Sequence, residues 1–169
     1  LNGQRKAFDT FYRDGLSGRE IRGRSIAVIG VGRIGSQIVD VAHGLGMTVL
    51  GVDLVEKPAL VEQYDLRYMP VAEAVAQADV AVCALPLTEV TEGMLNADLL
   101  SKMPKGGVFV NIARGEISPV ADVLRLLESG HLSGVGLDVY EHEKEVAAVL
   151  RGGKSVEDVP EARREAVQA

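Results

Sequence analysis

"SIAVIGVGRIGSQIVDVAHGLGMTVLGVD", residues Ser25 to Asp53, decides how this chain is read. Its first five residues, Ser25 to Ile29, form an apolar run long enough for a buried strand. Three glycines follow within six positions, Gly30, Gly32 and Gly35. Ile34, Ile38, Val41 and Leu45 then recur at helical spacing, which predicts a helix with one apolar face, ended by Gly44 and Gly46. Residues 47–52 read as a second buried strand, closed by Asp53. Three glycines at this spacing are weak evidence alone, because they arise often by chance. The preceding strand, the helix they open and an acid eighteen residues beyond Gly35 supply the context.

Each residue type has a physical reason to be there. Gly30 permits a tight turn, Gly32 lets backbone approach a pyrophosphate, and Gly35 lets the helix lie close on the strand. Free N–H groups and the positive helix end suit phosphate. Asp53 can accept hydrogen bonds from adenosine ribose hydroxyls; its charge would repel a 2′-phosphate, and Leu54 offers no cation to offset that. The stretch therefore predicts a dinucleotide site that favours NAD over NADP. The plainer alternative is a glycine-rich loop beside a surface aspartate.

Outward from this unit, apolar runs and amphipathic stretches alternate. Strands are predicted at 67–69, 80–85, 107–112 and 135–139, and helices at 70–77 and 97–102. Ser118 and Pro119 open a further helix whose apolar stripe, Val120, Val123, Leu124 and Leu127, stops at Gly130. Buried strands alternating with helices imply a parallel sheet covered on both faces, and right-handed crossovers make it a doubly wound α/β fold. Residues 1–24 read as a polar linker with a short helix around 6–13. Residues 25–143 read as the coenzyme domain, and 144–169 as a helical tail. The chain begins with Leu and ends in "EARREAVQA", a helix former without a stop signal, so both ends are expected to be cut.

The 169 residues suit one domain with a full core; 47% are hydrophobic and 25% charged, as in an ordinary globular protein. A net charge of −6 and scattered basic residues argue against nucleic acid or an anionic membrane as partner. No apolar run reaches the roughly 18 residues of a membrane span. Cys83 is the one cysteine, so no internal disulfide forms, and a cytoplasmic setting is expected. Cys83 itself reads as core rather than reactive.

The second half adds three motifs in order: "ALPLTEVTEGMLN" (84–96), "VNIARGEIS" (110–118) and "GVGLDVYEHE" (134–143). With the glycine turn they resemble the D-2-hydroxyacid dehydrogenase family, specifically its NAD-binding domain, over about residues 18–143. The resemblance implies a Rossmann-type doubly wound parallel sheet in three αβα layers. It also implies an NAD-dependent oxidoreductase that interconverts small 2-keto and D-2-hydroxy acids.

By the same resemblance, Arg33 and Ile34 sit against the pyrophosphate, Leu85 and Pro86 line the adenine-ribose side, and Thr91 stands near the phosphates. Ile112, Ala113 and Arg114 would face the nicotinamide, and Asp138 would hold its carboxamide. Arg114 would bind the substrate carboxylate and polarise its keto oxygen. Glu143 would pair with a catalytic histidine and raise its pKa. Arg114 and Asp138 also end predicted strands, where open α/β sheets place ligands, and an arginine fork matches a carboxylate. A surface ion pair for Arg114, a strand-end cap for Asp138 and a solvated acid for Glu143 remain the plainer alternatives.

The chain departs from the family pattern in three ways. No T-P-H-like segment carrying the catalytic histidine follows Glu143, and His43, His131 and His142 are poor substitutes. Ala84 stands where many members have a histidine. The substrate domain, built in the family from flanking residues, lies outside the sequence, so this chain is expected to bind cofactor weakly and turn over little. Family coenzyme domains mediate dimers, which makes a homodimer the expected assembly. The alternative reading is an NAD-responsive, non-catalytic module like the corepressors that resemble this family.

Overall fold

Ser25–Ile29 (β1) alternates its side chains between two apolar environments, and the rest of the fold follows from that. Ala27 and Ile29 join one fully buried cluster, while Ile26 and Val28 join another on the opposite face. The sheet is therefore the middle of three layers. The computed structural model describes residues 18–143 together with Ala147, Val149, Arg151, Gly152 and Ser155. The helix expected around 6–13 and most of the helical tail from Lys144 lie outside the described residues.

The described elements run β1, α1 (Arg33–Gly44), β2 (Thr48–Val52), α2 (Pro58–Tyr64), β3 (Arg67–Tyr68), α3 (Val71–Gln77), β4 (Val80–Cys83), α4 (Ala97–Leu100), β5 (Gly107–Asn111), α5 (Val120–Glu128) and β6 (Leu132–Leu137). All strand pairs are parallel, in the order β3-β2-β1-β4-β5-β6. Helices α3, α4 and α5 contribute Val75, Leu100, Val123 and Leu126 to the cluster around Phe109. Helix α1 contributes Val39 and Ala42 to the other cluster.

Register does the positioning. Ile29 stands opposite Val52 on one side and Cys83 on the other, Cys83 opposite Asn111, and Asn111 opposite Leu137. The residues that follow, Gly30, Asp53, Ala84, Ile112 and Asp138, consequently emerge side by side along the carboxyl edge. The chain order reverses between β1 and β4, and open α/β sheets bind their ligands at that switch point.

Three sequence expectations are corrected. The stripe Ile34, Ile38, Val41 and Leu45 is not the face α1 buries: Gly35, Val39 and Ala42 are buried, whereas Ile34, Val41 and Leu45 are 54%, 61% and 46% exposed. A helix held this close to a strand needs small side chains at the contact, so the larger ones turn outward. In helix α5 the expected stripe is right at Val123, which is buried, but Leu126 is buried in place of the exposed Leu124 and Leu127. Strand β6 begins three residues earlier than expected and stops at Leu137. Helix α2, which buries no residue fully, was not anticipated.

Candidate functional site

Gly30 has φ +98°, and a Cβ there would stand 2.8 Å from the Ala84 carbonyl carbon and oxygen. The turn after β1 thus lies directly on the segment leaving β4, and on its other side the Gly30 amide donates to Val52 O at the end of β2 at 2.8 Å. A Cβ on Gly35 would collide with the Gly30 carbonyl, so only glycine lets α1 approach this near. Gly32 differs, since nothing lies within 4 Å of its Cβ position. The first and third glycines are needed to build the turn, and the second leaves its outer surface open.

Helix α1 starts at that open surface. Its N-cap, Gly32, offers no capping side chain, and the first turn holds no acid. The leading N–H groups of a helix have no partner within it, so here they remain available to an anion. Asp53 faces the same turn: its Oδ2 accepts the Val31 N–H at 2.7 Å, and its Oδ1 accepts the Val55 N–H at 3.2 Å. Lys57 reaches it too, donating from Nζ to Gly32 O at 3.2 Å and to Ser36 Oγ at 2.9 Å.

Across the switch point an open cleft of about 480 Å³ joins three segments: Gly32–Ile34, residues 84–87, and residues 112–114. Arg33, Ile34, Leu85, Pro86, Ile112, Ala113 and Arg114 are thereby brought together from three parts of the sequence. An apolar groove of about 340 Å³ runs along the outer face of α1 past Ile21, Val41 and Leu45; it offers no charge to orient a dinucleotide.

Arg114 projects from a loop held by a buried amide. Asn111 is fully buried; its Nδ2 donates to Arg114 O at 2.9 Å and Ser118 Oγ at 2.7 Å, and its Oδ1 accepts the Ala113 N–H at 2.9 Å. The guanidinium is exposed, with Nη1 donating to Ala113 O at 2.6 Å. The 3-10 turn Gly115–Ile117 then runs beneath the stretch after β6, where a Cβ on Gly115 would strike the Tyr140 and Glu141 backbone. That contact carries the 140–143 segment to the Arg114 end of the sheet.

Thr91, Asp138 and Glu143 stand outside the cleft lining. Thr91 Oγ1 donates to Pro86 O at 2.7 Å and accepts the Thr88 N–H at 2.8 Å, bracing the loop after β4. Asp138 is exposed at the end of β6, its N–H bonded to Asn111 O at 3.0 Å. Glu143 is exposed and accepts the Tyr140 N–H at 3.0 Å, while its neighbour Glu141 accepts the Val120 N–H and caps α5. His43 lies on the surface edge-on to Tyr64, and His142 has φ +58° between the two glutamates. Cys83 is wholly buried, and burial pushes its thiol pKa up, as core placement requires.

Sequence reading missed Asn111 and Lys57. Asn111 sits inside a quoted motif, and its place at a strand end followed by a turn was the available signal. Lys57 carries no such signal, because its partners lie 25 and 21 residues away.

The family profile described as D-isomer specific 2-hydroxyacid dehydrogenase, NAD binding domain, matches residues 3–159. Glyoxylate reductase of Thermococcus onnurineus is 36% identical over 126 residues, which are 75% of this chain and 38% of that protein. D-lactate dehydrogenase of Lactiplantibacillus plantarum is 35% identical over 140 residues, 83% of this chain and 42% of that one. Among solved structures, D-lactate dehydrogenase from Aquifex aeolicus, complexed with NAD and lactic acid, superposes with a TM-score of 0.78 at 29% identity. That match covers 96% of this chain and 49% of the other. The chain thus spans less than half the length of the relatives it matches.

Proposed function

The chain belongs to the D-isomer specific 2-hydroxyacid dehydrogenase family as its NAD binding domain, and from that premise we propose that it holds NAD(H) across the β1–β4 switch point for hydride exchange with a small 2-keto or D-2-hydroxy acid. One observation carries the reading. The uncapped mouth of α1, with Asp53 fixed on its turn, opens into the same cleft as Leu85, Pro86 and the Ile112–Arg114 loop.

The residues fit the cofactor. Gly30 and Gly35 set the turn, and the amides around Gly32, Arg33 and Ile34 take the pyrophosphate, with Arg33 adding charge. Asp53 keeps lone pairs for the adenosine ribose beyond its two backbone bonds. Leu85 and Pro86 form an apolar wall, Thr91 stiffens the loop that carries it, and Ile112 and Ala113 back the nicotinamide. Asp138, last in the row along the carboxyl edge, accepts from the carboxamide. NAD(H), when bound, supplies or accepts the hydride.

Arg114 does the substrate work available to this chain. Its planar fork matches a carboxylate and places the 2-carbon against the nicotinamide, and its charge stabilises the alkoxide that develops when the keto oxygen gains electrons. Glu143, carried to that end by the contact of Gly115 with Tyr140 and Glu141, partners the histidine that donates the proton, favouring its charged form. That histidine and the residues that read the substrate's side chain are supplied by other parts of the whole enzyme. A homodimer belongs to the same reading, supported by the exposed Ile34, Val41 and Leu45 on α1, as does a cytoplasmic setting, supported by the single buried thiol.

Calorimetric titration with NADH tests the core of this reading, and the expected result is saturable one-to-one binding. Adding glyoxylate or pyruvate to the NADH complex should give a second binding event that Arg114→Gln abolishes without loosening NADH by more than about threefold. Failure of NADH to bind at all would overturn the proposal.

A further inference from the structure

Tyr68 lies outside the cleft lining, one strand away from Asp53, yet it holds the loop that Asp53 begins. Gly51 and Tyr68 are paired between β2 and β3, and the glycine gives the ring its seat. A Cβ on Gly51 would stand 3.1 Å from Tyr68 Cδ1 and Cε1, so the ring lies against β2 two residues before Asp53. From that seat the hydroxyl reaches the far end of the next loop, where it accepts the Lys57 N–H at 3.3 Å. Burial pushes the phenol pKa up, and the Lys57 bond offsets part of this. The charges of Asp53 and Glu56 raise it further, so the hydroxyl stays neutral at neutral pH.

Residues 53–57 are not held by packing. Leu54 and Val55 are 101% and 69% exposed, so neither side chain anchors the loop in the core. Lys57 is the N-cap of α2 but makes no capping bond with its side chain, and Pro58 follows at once. The fastenings are polar instead. Asp53 Oδ1 takes the Val55 N–H at one end, and Tyr68 takes the Lys57 N–H at the other. Without the hydroxyl, the Lys57 N–H loses that partner and the loop gains freedom. The carboxylate at its root then spends less time in the orientation that a ribose requires.

Resting on the NAD-binding reading above, we propose that Tyr68 is a positioning residue of the cofactor site: its hydroxyl, seated over Gly51, holds the 53–57 loop so that the Asp53 carboxylate meets the adenosine ribose. The ring serves the fold and the hydroxyl serves the ligand. One substitution separates the two roles, because phenylalanine keeps the first and lacks the second.

The test combines NADH titration, thermal unfolding and amide hydrogen exchange on the full chain, on Tyr68→Phe, on Asp53→Ala and on the double variant. Tyr68→Phe should melt within about 3 °C of native protein without cofactor and bind NADH about three- to tenfold more weakly. In the Asp53→Ala background the same change should alter NADH affinity less than about twofold, since the hydroxyl acts through that acid. Exchange of the Val55 N–H should quicken in Tyr68→Phe, because the Asp53 bond to it loosens with the loop. Unchanged NADH affinity in Tyr68→Phe would overturn the inference, as would an equal loss with or without Asp53. Weaker NADH with unchanged Val55 exchange would place the hydroxyl on the cofactor itself, and a melt far below native would assign it to the fold. Either result would overturn the positioning role. Failure of native protein to bind NADH would sink the NAD reading instead, and the Val55 exchange, read without cofactor, tells the two failures apart.

Discussion

At the residue scale, Asn111 shows how a buried polar group can serve a site it never touches. It carries one acceptor and two donor hydrogens on a side chain with no solvent exposure, and all are used within seven residues of chain. The Arg114 carbonyl is one partner and the Ala113 N–H another, so the amide fixes the backbone that carries the Arg114 guanidinium. Asn111→Leu removes the partner of the Ala113 N–H and of Ser118 Oγ and leaves the Arg114 carbonyl with the Ile117 N–H alone. A loss of about 2–4 kcal/mol is expected, read as a lowered denaturant midpoint. Asn111→Asp keeps the acceptor but sets a carboxylate against the Arg114 carbonyl. Its NADH complex should bind keto acid more weakly than native protein even where it remains folded. Asp53 and the glycines were legible from sequence because their geometry is local to one strand-turn-helix unit. Asn111 was not, because an asparagine after a strand looks the same whether it caps a turn in solvent or supports one from beneath.

At the element scale, the site depends on β1 and β4 staying in register, and their far ends are tied by one carboxylate. Asp79 accepts the Ser25 N–H at 2.9 Å and Ser25 Oγ at 3.0 Å through Oδ2, and Arg24 Nη1 at 3.0 Å through Oδ1. The backbone bond from Ser25, aided by its hydroxyl and by Arg24, holds the Asp79 carboxyl below its ordinary value. A carboxyl depressed in the folded state adds stability that is present above its unfolded pKa and lost as pH falls through the folded one. Acid unfolding should therefore include Asp79 protonation below about pH 4. Asp79→Asn should cost about 1–2 kcal/mol at neutral pH, since the exposed ion pair adds little beyond the hydrogen bonds. The same variant should flatten the acid limb of stability against pH, and an unchanged limb would show that Asp79 takes no part. The elements themselves were largely readable, because buried parallel strands leave unbroken apolar runs. Helix α2 escaped notice because it buries nothing fully, and the face of α1 was misread because periodicity identifies the largest apolar residues while close contact selects the smallest.

At the scale of the whole molecule, fold and site separate more cleanly than a two-layer protein would allow. Most of both core clusters lies within the sheet and helix layers, and the cleft residues sit beyond the carboxyl ends of the strands, where Leu85, Ile112 and Ala113 alone join cleft to core. Stability of the bare chain should thus be insensitive to changes in the mouth of α1, whereas ligand-linked stability should depend on them wholly. A ligand at one hundred times its Kd adds about 2.7 kcal/mol to folding, which for a domain of this size raises Tm by roughly 5–10 °C. NADH should produce a shift of that order in a thermal melt. Gly32 is the position to remove it, because no atom lies within 4 Å of its Cβ position. Gly32→Val should therefore melt within a few degrees of native protein without cofactor and lose most of the NADH-induced rise. An equal loss of bare stability would mean that the second glycine serves the fold after all, and a full NADH shift in the variant would mean that the pyrophosphate lies elsewhere.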